Sequence, residues 1–425
     1  MIWLYRLLFL PVFVVVAPSY LRRMRRRGGY GEKFGQRFGN HPAPARRPGV
    51  KRVWLQAVSV GEMLAIGPML EALHREGVEV CLTTTTSTGY RMASERYAAL
   101  TLEIGYFPID WWPFSRRAWE RIDPDLVILT EGERWPEHIH QAVRRGVPVL
   151  CINARISDRS FHRLRLVSPV ARMMLNGISR LLPSSAQDEA RFQALGFPAA
   201  RMRAVGNIKL DVAIPRLDGP ELAALRRELG LPGGFVLLGS STWPGEEEAL
   251  VEALQHARSG GLQGSLLLVP RHAERRPEIE QLLRRTGLRF HFRTDGAAPG
   301  EVDVSVADTT GELRQLTQLA DVVFVGKSLP PHREGQTPVE AAALGKPILF
   351  GPGMGNFRQV AGELVARGAA LKVESGPALG REASLLLRDV ARRAALAAAA
   401  MAWQRDNGGA MERTLAVVRE ELRAP

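Results

Sequence analysis

Trp54-Leu55-Gln56-Ala57-Val58-Ser59-Val60-Gly61-Glu62 carries an apolar run straight into a glycine and a glutamate. Val53 to Val60 is mostly apolar and partly β-branched, which suits a parallel strand covered on both faces. From Met63 onward the apolar positions Met63, Ile66, Met69, Leu70 and Leu73 fall at helical spacing. Gly61 is placed to relax the steric limits of a strand-to-helix turn. The spacing therefore predicts Glu62 at the C-terminal end of a first strand and the N-terminal end of a first helix. Open α/β sheets bind ligands along that edge. A first-turn glutamate also suits simple complementation of the helix dipole.

The pattern repeats along the chain. Val78–Thr83 predicts a strand, followed by the hydroxyl-rich Thr84-Thr85-Thr86-Ser87-Thr88-Gly89 and a helix from Tyr90. Hydroxyls at a helix start suit an anionic or sugar group, and equally suit capping. Asp125–Thr130 predicts a strand ending at Glu131, with Pro136 opening the next helix. Val147–Ile152 leads into Asn153-Ala154-Arg155, with Arg159 a second cation on that edge. Leu181–Ser184 and Arg203–Val205 read as shorter strands, the latter ahead of Gly206 to Asp211, which includes Lys209. After a connection at Arg216–Pro232 the alternation restarts. Phe235–Gly239 precedes Ser240 to Glu247, Leu266–Val269 precedes Pro270-Arg271-His272, and Val302–Val306 precedes Asp308-Thr309-Thr310-Gly311-Glu312. Val322–Val325 precedes Gly326-Lys327-Ser328, and Pro347–Phe350 precedes Gly351-Pro352-Gly353. Thr337-Pro338-Val339-Glu340 opens a helix, where Glu340 could accept bonds from a ribose. Two successive α/β halves with polar groups at strand C-termini imply two Rossmann-like domains.

Charge and cysteines narrow the classes. The 425 residues carry a formal net charge of +13. Residues 1–48 hold ten Lys/Arg against one acid, Glu32, so a surplus of nine sits in that segment. Its first eighteen residues, Met1 to Pro18, are apolar apart from Arg6, and Arg22, Arg23, Arg25, Arg26 and Arg27 follow. That arrangement predicts an uncleaved anchor, spanning a bilayer or lying in its interface, with an arginine collar on anionic lipid. A nucleic-acid partner is disfavoured, because the excess charge sits beside the apolar stretch and not on the folded halves. Cys81 and Cys151 fall in predicted strands without metal-ligand spacing and read as reduced core residues of a cytosolic protein. No G-x-G-x-x-G follows the first strand, and no Walker A sequence, C-x-x-C or His-x-x-His occurs.

On Ser59-Val60-Gly61-Glu62, Thr85–Gly89, Glu131–Pro136, Asn153-Ala154-Arg155, Gly206–Asp211, Pro270-Arg271-His272, Gly311-Glu312-Leu313 and Gly351–Phe357, together with the anchor, the chain resembles the Kdo transferases. These enzymes move 3-deoxy-D-manno-octulosonic acid (Kdo) from CMP-Kdo onto a lipid A precursor. The resemblance covers nearly the whole chain. It implies a GT-B fold, two Rossmann-like domains facing a cleft, and an inverting reaction with no metal and no cofactor. It implies Glu62 as general base, with Glu131 and Lys209 assisting the transition state. It places CMP against Pro270 and Arg271, then Thr310, Gly311 and Glu312, then Thr337, Pro338, Val339 and Glu340. It further implies a membrane anchor and basic linker at 1–48, an acceptor domain at 49–215 and a donor domain at 216–425, with the last helix packing back on the acceptor domain. The location implied is the cytoplasmic face of the inner membrane.

The residue types fit that chemistry. A base must take the acceptor hydroxyl proton, and cations or helix amino termini must hold charge on the departing CMP. The chain departs from the family pattern at four places. Lys327 replaces a second glycine after Gly326, and Trp243 replaces a histidine. Gly132-Glu133-Arg134 stands for threonine-glutamate-leucine, and Glu334-Gly335-Gln336-Thr337 for a Gly-Gly-His/Gln-Asn run. The alternatives are a related GT-B transferase with another nucleotide sugar or lipid acceptor, and a membrane-attached binding protein on a transferase scaffold.

Overall fold

The computed structural model describes residues 1–26, 33–212 and 214–423. Arg27 and Glu32, which the charge reading used, lie outside them. The chain divides into two units. Unit 1 comprises Met1–Asp211 with Asn407–Pro425, and unit 2 comprises Val212–Asp406.

Unit 1 holds β1 (Arg52–Gln56), β2 (Glu79–Thr84), β3 (Glu103–Tyr106), β4 (Leu126–Thr130), β5 (Val149–Ala154) and β6 (Arg180–Pro183). They form one parallel sheet in the order β3-β2-β1-β4-β5-β6. This is the doubly wound order, with its reversal between β1 and β4. The two-residue period of a strand sends alternate side chains to opposite cores. Val53, Leu55, Ile128 and Leu150 join Met63, Ile66 and Leu70 of the helix Val60–Arg75 on one face. Trp54, Val127, Leu129 and Cys151 join Trp119, Ile139 and Phe192 on the other. Each fully buried aliphatic side chain contributes about 1.5–3 kcal/mol. The last helix, Ala410–Arg423, places Met411, Leu415 and Val418 in the first of these cores. Both cysteines are buried and unpaired, and burial raises the thiol of Cys81 to about 12.

Three features differ from the sequence reading. β1 ends at Gln56, and the helix starts at Val60 with Ser59 as its cap, so Gly61 lies inside the first helical turn. A Cβ there would stand 3.9 Å from the Lys209 ammonium, an ordinary contact, so neither the turn nor the packing requires glycine. Arg203–Val205 is no strand. Met202 makes one bridge to Leu181, and the Val205 carbonyl accepts two bonds from the Arg413 guanidinium of the last helix. Gly39–Pro48 is not a free basic linker. Arg46 pairs with Asp125 at 2.9 Å and Arg47 with Glu79 at 2.6 Å. The fully buried Arg52 donates to the carbonyls of Pro44 and Ala45.

Among the aromatics of unit 1 lies His138, fully buried, its Nδ1 accepting the Trp119 indole N–H at 3.1 Å. Burial pushes its pKa from 6.5 down to about 3. The folded state thus binds this proton more weakly than the unfolded chain. The stability held by neutral His138 is complete above pH 6.5 and is lost as pH falls toward 3. Each pH unit in that window costs ~1.4 kcal/mol. Urea unfolding should therefore lose about 2 kcal/mol between pH 7 and pH 5 through this group. His138→Gln, which has no imidazole to charge, should flatten the profile by that amount; an unchanged slope would remove His138 as its source.

Unit 2 holds β7 (Phe235–Thr242), β8 (Gly264–Pro270), β9 (Phe290–Phe292), β10 (Val304–Val306), β11 (Val322–Val325), β12 (Ile348–Phe350) and β13 (Ala370–Lys372). These are also all parallel, in the order β13-β12-β11-β7-β8-β10-β9. The order reverses where β7 meets β11, so the loops after those two strands open at the ligand-binding edge.

Candidate active site

Unit 1 brings Glu62, Glu131 and Lys209 to its switch point. Glu62 follows β1 and Glu131 follows β4, the two strands that flank the reversal. The Glu62 carboxylate is held from three sides. It accepts the Val58 N–H at 3.1 Å, the Ser59 hydroxyl at 2.8 Å and the Thr130 hydroxyl at 2.6 Å. An ionised carboxylate offers about four acceptor positions, so one remains for a substrate hydroxyl. The Ser59 side chain also accepts the Glu62 backbone N–H at 3.2 Å, which fixes the first turn.

Glu131 takes the left-handed backbone region at φ 49°, as Asn153 does at φ 50°. Such conformations at non-glycine residues cluster at functional sites. The Glu131 carboxylate pairs with the Lys209 ammonium at 2.5 Å and accepts the Asn153 amide at 3.2 Å. Asn153 in turn accepts the Ile208 N–H at 3.1 Å, and Asn207 caps the short turn that carries Lys209. One asparagine thus sets both partners of the ion pair. Lys209 also lies over Gly61, so this pair borders the turn that presents Glu62.

Glu133 is a further carboxyl here. Burial raises its pKa, and the nearby charge of Glu62 adds to that, while the Trp135 indole N–H bond at 2.8 Å opposes it. Two of the hydroxyls at the end of β2 are engaged within the protein. Thr84 and Thr86 both donate to the Val58 carbonyl, and Thr86 caps the following helix. They brace the loop that holds Glu62.

In unit 2, Pro270 ends β8, and Arg271 is exposed beyond it with its N–H on the Thr242 carbonyl at 3.2 Å. Thr310 and Gly311 are exposed, Gly311 at φ 93°. Glu312 is engaged within the protein. It pairs twice with Arg293 at 2.8 Å, and that guanidinium holds the carboxyl below its ordinary range. Pro338 and Val339 are buried and Thr337 and Glu340 half-buried. Glu340 leaves one carboxylate oxygen buried without a hydrogen-bond partner, as do the Thr242 hydroxyl and the Trp243 indole N–H. Unpaired buried polar atoms are costly, and a ligand can satisfy them.

Glu246 organises the loop after β11. Its carboxylate accepts the N–H groups of Trp243, Lys327, Ser328 and Leu329 at 2.7–3.1 Å. Lys327 sits at φ 56°, and its ammonium lies over the Trp243 ring, 4.1 Å from the centroid. Two of the departures noted in the sequence are therefore packed on one another. Among the described residues no group of three or more His, Cys, Asp or Glu is placed to hold a metal ion.

Residues 32–212 match the family model described as 3-deoxy-D-manno-octulosonic-acid transferase. The 3-deoxy-D-manno-octulosonic acid transferase of Bordetella pertussis is 35% identical over 412 residues, covering 94% of this chain and 95% of that protein. The chain belongs to the Kdo transferase family. The Haemophilus influenzae member is 30% identical over 98% of this chain and 95% of its own length. A solved glycosyltransferase from Rickettsia africae matches with TM-score 0.57 at 11% identity, over 89% of this chain and all of that one, which speaks for the fold alone. The protein is a GT-B glycosyltransferase of this family.

Against that background, Thr130, Asn153 and Glu246 are the positioning residues that the sequence reading did not place in the site. Asn153 stood in a quoted motif, Glu246 in the polar run after a predicted strand and Thr130 at a strand end, but no spacing says which groups each one meets.

Proposed function

We propose that this Kdo transferase moves Kdo from CMP-Kdo to a lipid A precursor at the cytoplasmic face of the inner membrane, with Glu62 as the base. The observation that carries the reading is the single constellation of Glu62, Glu131 and Lys209 at the switch point of unit 1. Glu62 removes the proton of the acceptor hydroxyl as its oxygen bonds to the anomeric carbon of Kdo. The bond from that carbon to the phosphate oxygen breaks, and CMP leaves with the electron pair. A positioned base of this kind contributes ~10²–10⁴-fold. Glu131 and Lys209 meet the charge that develops around the sugar. CMP is bound in unit 2 by Pro270 and Arg271, by Thr310, Gly311 and Glu312, and by Thr337 through Glu340. Arg271 supplies a cation for the phosphate, and the Glu340 oxygen without a partner suits a ribose hydroxyl.

The departures at Lys327 and Trp243 favour one second reading, a different nucleotide sugar. The two readings separate in one experiment. Full-length protein in detergent is given CMP-Kdo and a tetraacylated lipid A precursor, and the product is read by mass spectrometry. Addition of one or more Kdo units is the expected result. No transfer from folded protein that other nucleotide sugars protect against heat would favour the second reading.

A further inference from the structure

The helix Ile2–Arg26 is docked on unit 1 by its first turns. The Tyr5 hydroxyl donates to the Asp110 carboxylate at 2.8 Å. The Arg6 guanidinium bonds Glu137 twice, at 2.8 and 2.9 Å, with the side chains 7% and 0% exposed. Phe9 stacks on Trp111 with centroids 6.4 Å apart. The two acceptors belong to the fold. Asp110 accepts the N–H groups of Glu137 and His138, capping the helix Pro136–Arg145, and Glu137 accepts the Gln141 amide. The chain beyond the apolar helix comes back to the same place. The Arg37 carbonyl accepts the Ile109 N–H at 2.8 Å, and Phe38 packs edge-on to Phe114 at 5.2 Å. The six residues Ile109 to Phe114 thus receive both the start of the helix and the segment after it.

A helix that crosses a bilayer separates its two flanks by ~30 Å of hydrocarbon. Tyr5 and Phe9 would then lie on the far side from Arg37 and Phe38. Contacts of both pairs with one six-residue stretch are incompatible with that separation. Yet the helix is not a core helix, since only 6% of Ile2–Ser19 is buried. Trp3, Leu7, Val12 and Val15 make a row of outward apolar side chains along the helix, each 60% exposed or more. Leu4, Leu8 and Val16 widen it. An apolar surface of this extent marks an interaction site. Arg22 is exposed beyond the row, and the sequence adds Arg23, Arg25 and Arg26. Apolar contact followed by cations is complementary to an anionic lipid leaflet.

We infer that Ile2–Arg26 is an in-plane, one-sided anchor that lies along the anionic leaflet, keyed to unit 1 by Arg6–Glu137 and Tyr5–Asp110, with residues 1–9 on the same side as both catalytic units. The inference rests on the membrane attachment proposed above and adds its topology. It also gives the key a use. Glu137 stands at the start of a helix that follows the Glu131–Trp135 loop directly, so the bonds from Arg6 hold that loop at a fixed place relative to the lipid surface.

The topology is read on full-length protein in cells. One version carries a cysteine inserted after Met1, the other Glu374→Cys, an exposed position of unit 2. The native Cys81 and Cys151 are buried and stay silent. A membrane-impermeant maleimide is applied to intact spheroplasts and to inverted vesicles. Labelling of both cysteines from inverted vesicles alone is expected. Labelling of the N-terminal cysteine from intact spheroplasts overturns the in-plane anchor and leaves attachment standing. Recovery of the protein wholly in the soluble fraction overturns attachment itself, and the inference with it. Arg6→Met lengthens the apolar run and removes the key. It should leave heat protection by CMP-Kdo unchanged and lower transfer to bilayer-embedded acceptor several-fold, with transfer to detergent-dispersed acceptor retained. Equal rates with the wild type on both acceptors would overturn the keying.

Discussion

Glu62→Gln should fold like the wild type and lose ~10²–10⁴-fold in kcat, the contribution of a positioned general base. The fold is expected to survive because the hydrogen bonds can be kept. Val58 N–H and the Thr130 hydroxyl both donate to one oxygen of Glu62, and the Ser59 hydroxyl donates to the other. A glutamine can turn its carbonyl toward Val58 and Thr130. Its amide then meets Ser59, whose oxygen can accept. What the amide cannot do is take a proton. The loss should appear in kcat and in kcat/KM alike, since the proton moves only on the way to the transition state. Circular dichroism and thermal unfolding would confirm the fold, and a radiometric transfer assay would give the rate. A folded mutant turning over at the wild-type rate would remove Glu62 from the role of base.

That experiment bears on a residue whose place was legible before the structure. The continuous apolar run Val53–Leu55 and the helical spacing after Met63 are set by local geometry, so the strand–helix edge at Glu62 could be read directly. The same holds for Glu131 after β4, where Pro136 marked the next helix. Element boundaries were less legible. The helix begins three residues before Met63 because a serine cap outweighs the apolar pattern there. β3, β9 and β13 went unread because all three are edge strands with partly exposed residues, which breaks the continuous apolar run that marks a central parallel strand. Arg203–Val205 looked like a strand, but its last carbonyl is taken by Arg413, more than two hundred residues away. Such pairings are tertiary and leave no trace in local sequence. The same reason hid the roles of Asn153 and Glu246, which lie in which loops they join. It also hid the ties of Arg46, Arg47 and Arg52, which turn a basic stretch into a packed edge.

Lys209→Met should lower kcat by ~10²–10³-fold, the scale seen when one preorganised group facing transition-state charge is removed. Its effect on stability should be small. The Lys209–Glu131 pair lies at 2.5 Å, but with side chains 28% and 21% exposed it is open to solvent, where ion pairs contribute about 0–1 kcal/mol. The pair is nonetheless expensive to maintain. Glu131 holds a left-handed backbone, and Asn153 holds another to reach both partners. Strain of ~1–3 kcal/mol at such residues persists where function selects for it. If Glu131 serves to aim the Lys209 ammonium, then Glu131→Gln and Lys209→Met disable one device. The double mutant should be little slower than Lys209→Met alone, a coupling well beyond the ~0.5 kcal/mol of independent sites. Rates for both singles and the double, measured at saturating donor, decide this. Multiplying losses would mean that each group touches the reacting sugar separately. In that case the left-handed turn at Glu131 would owe its upkeep to a direct contact with the substrate, and Lys209 to another.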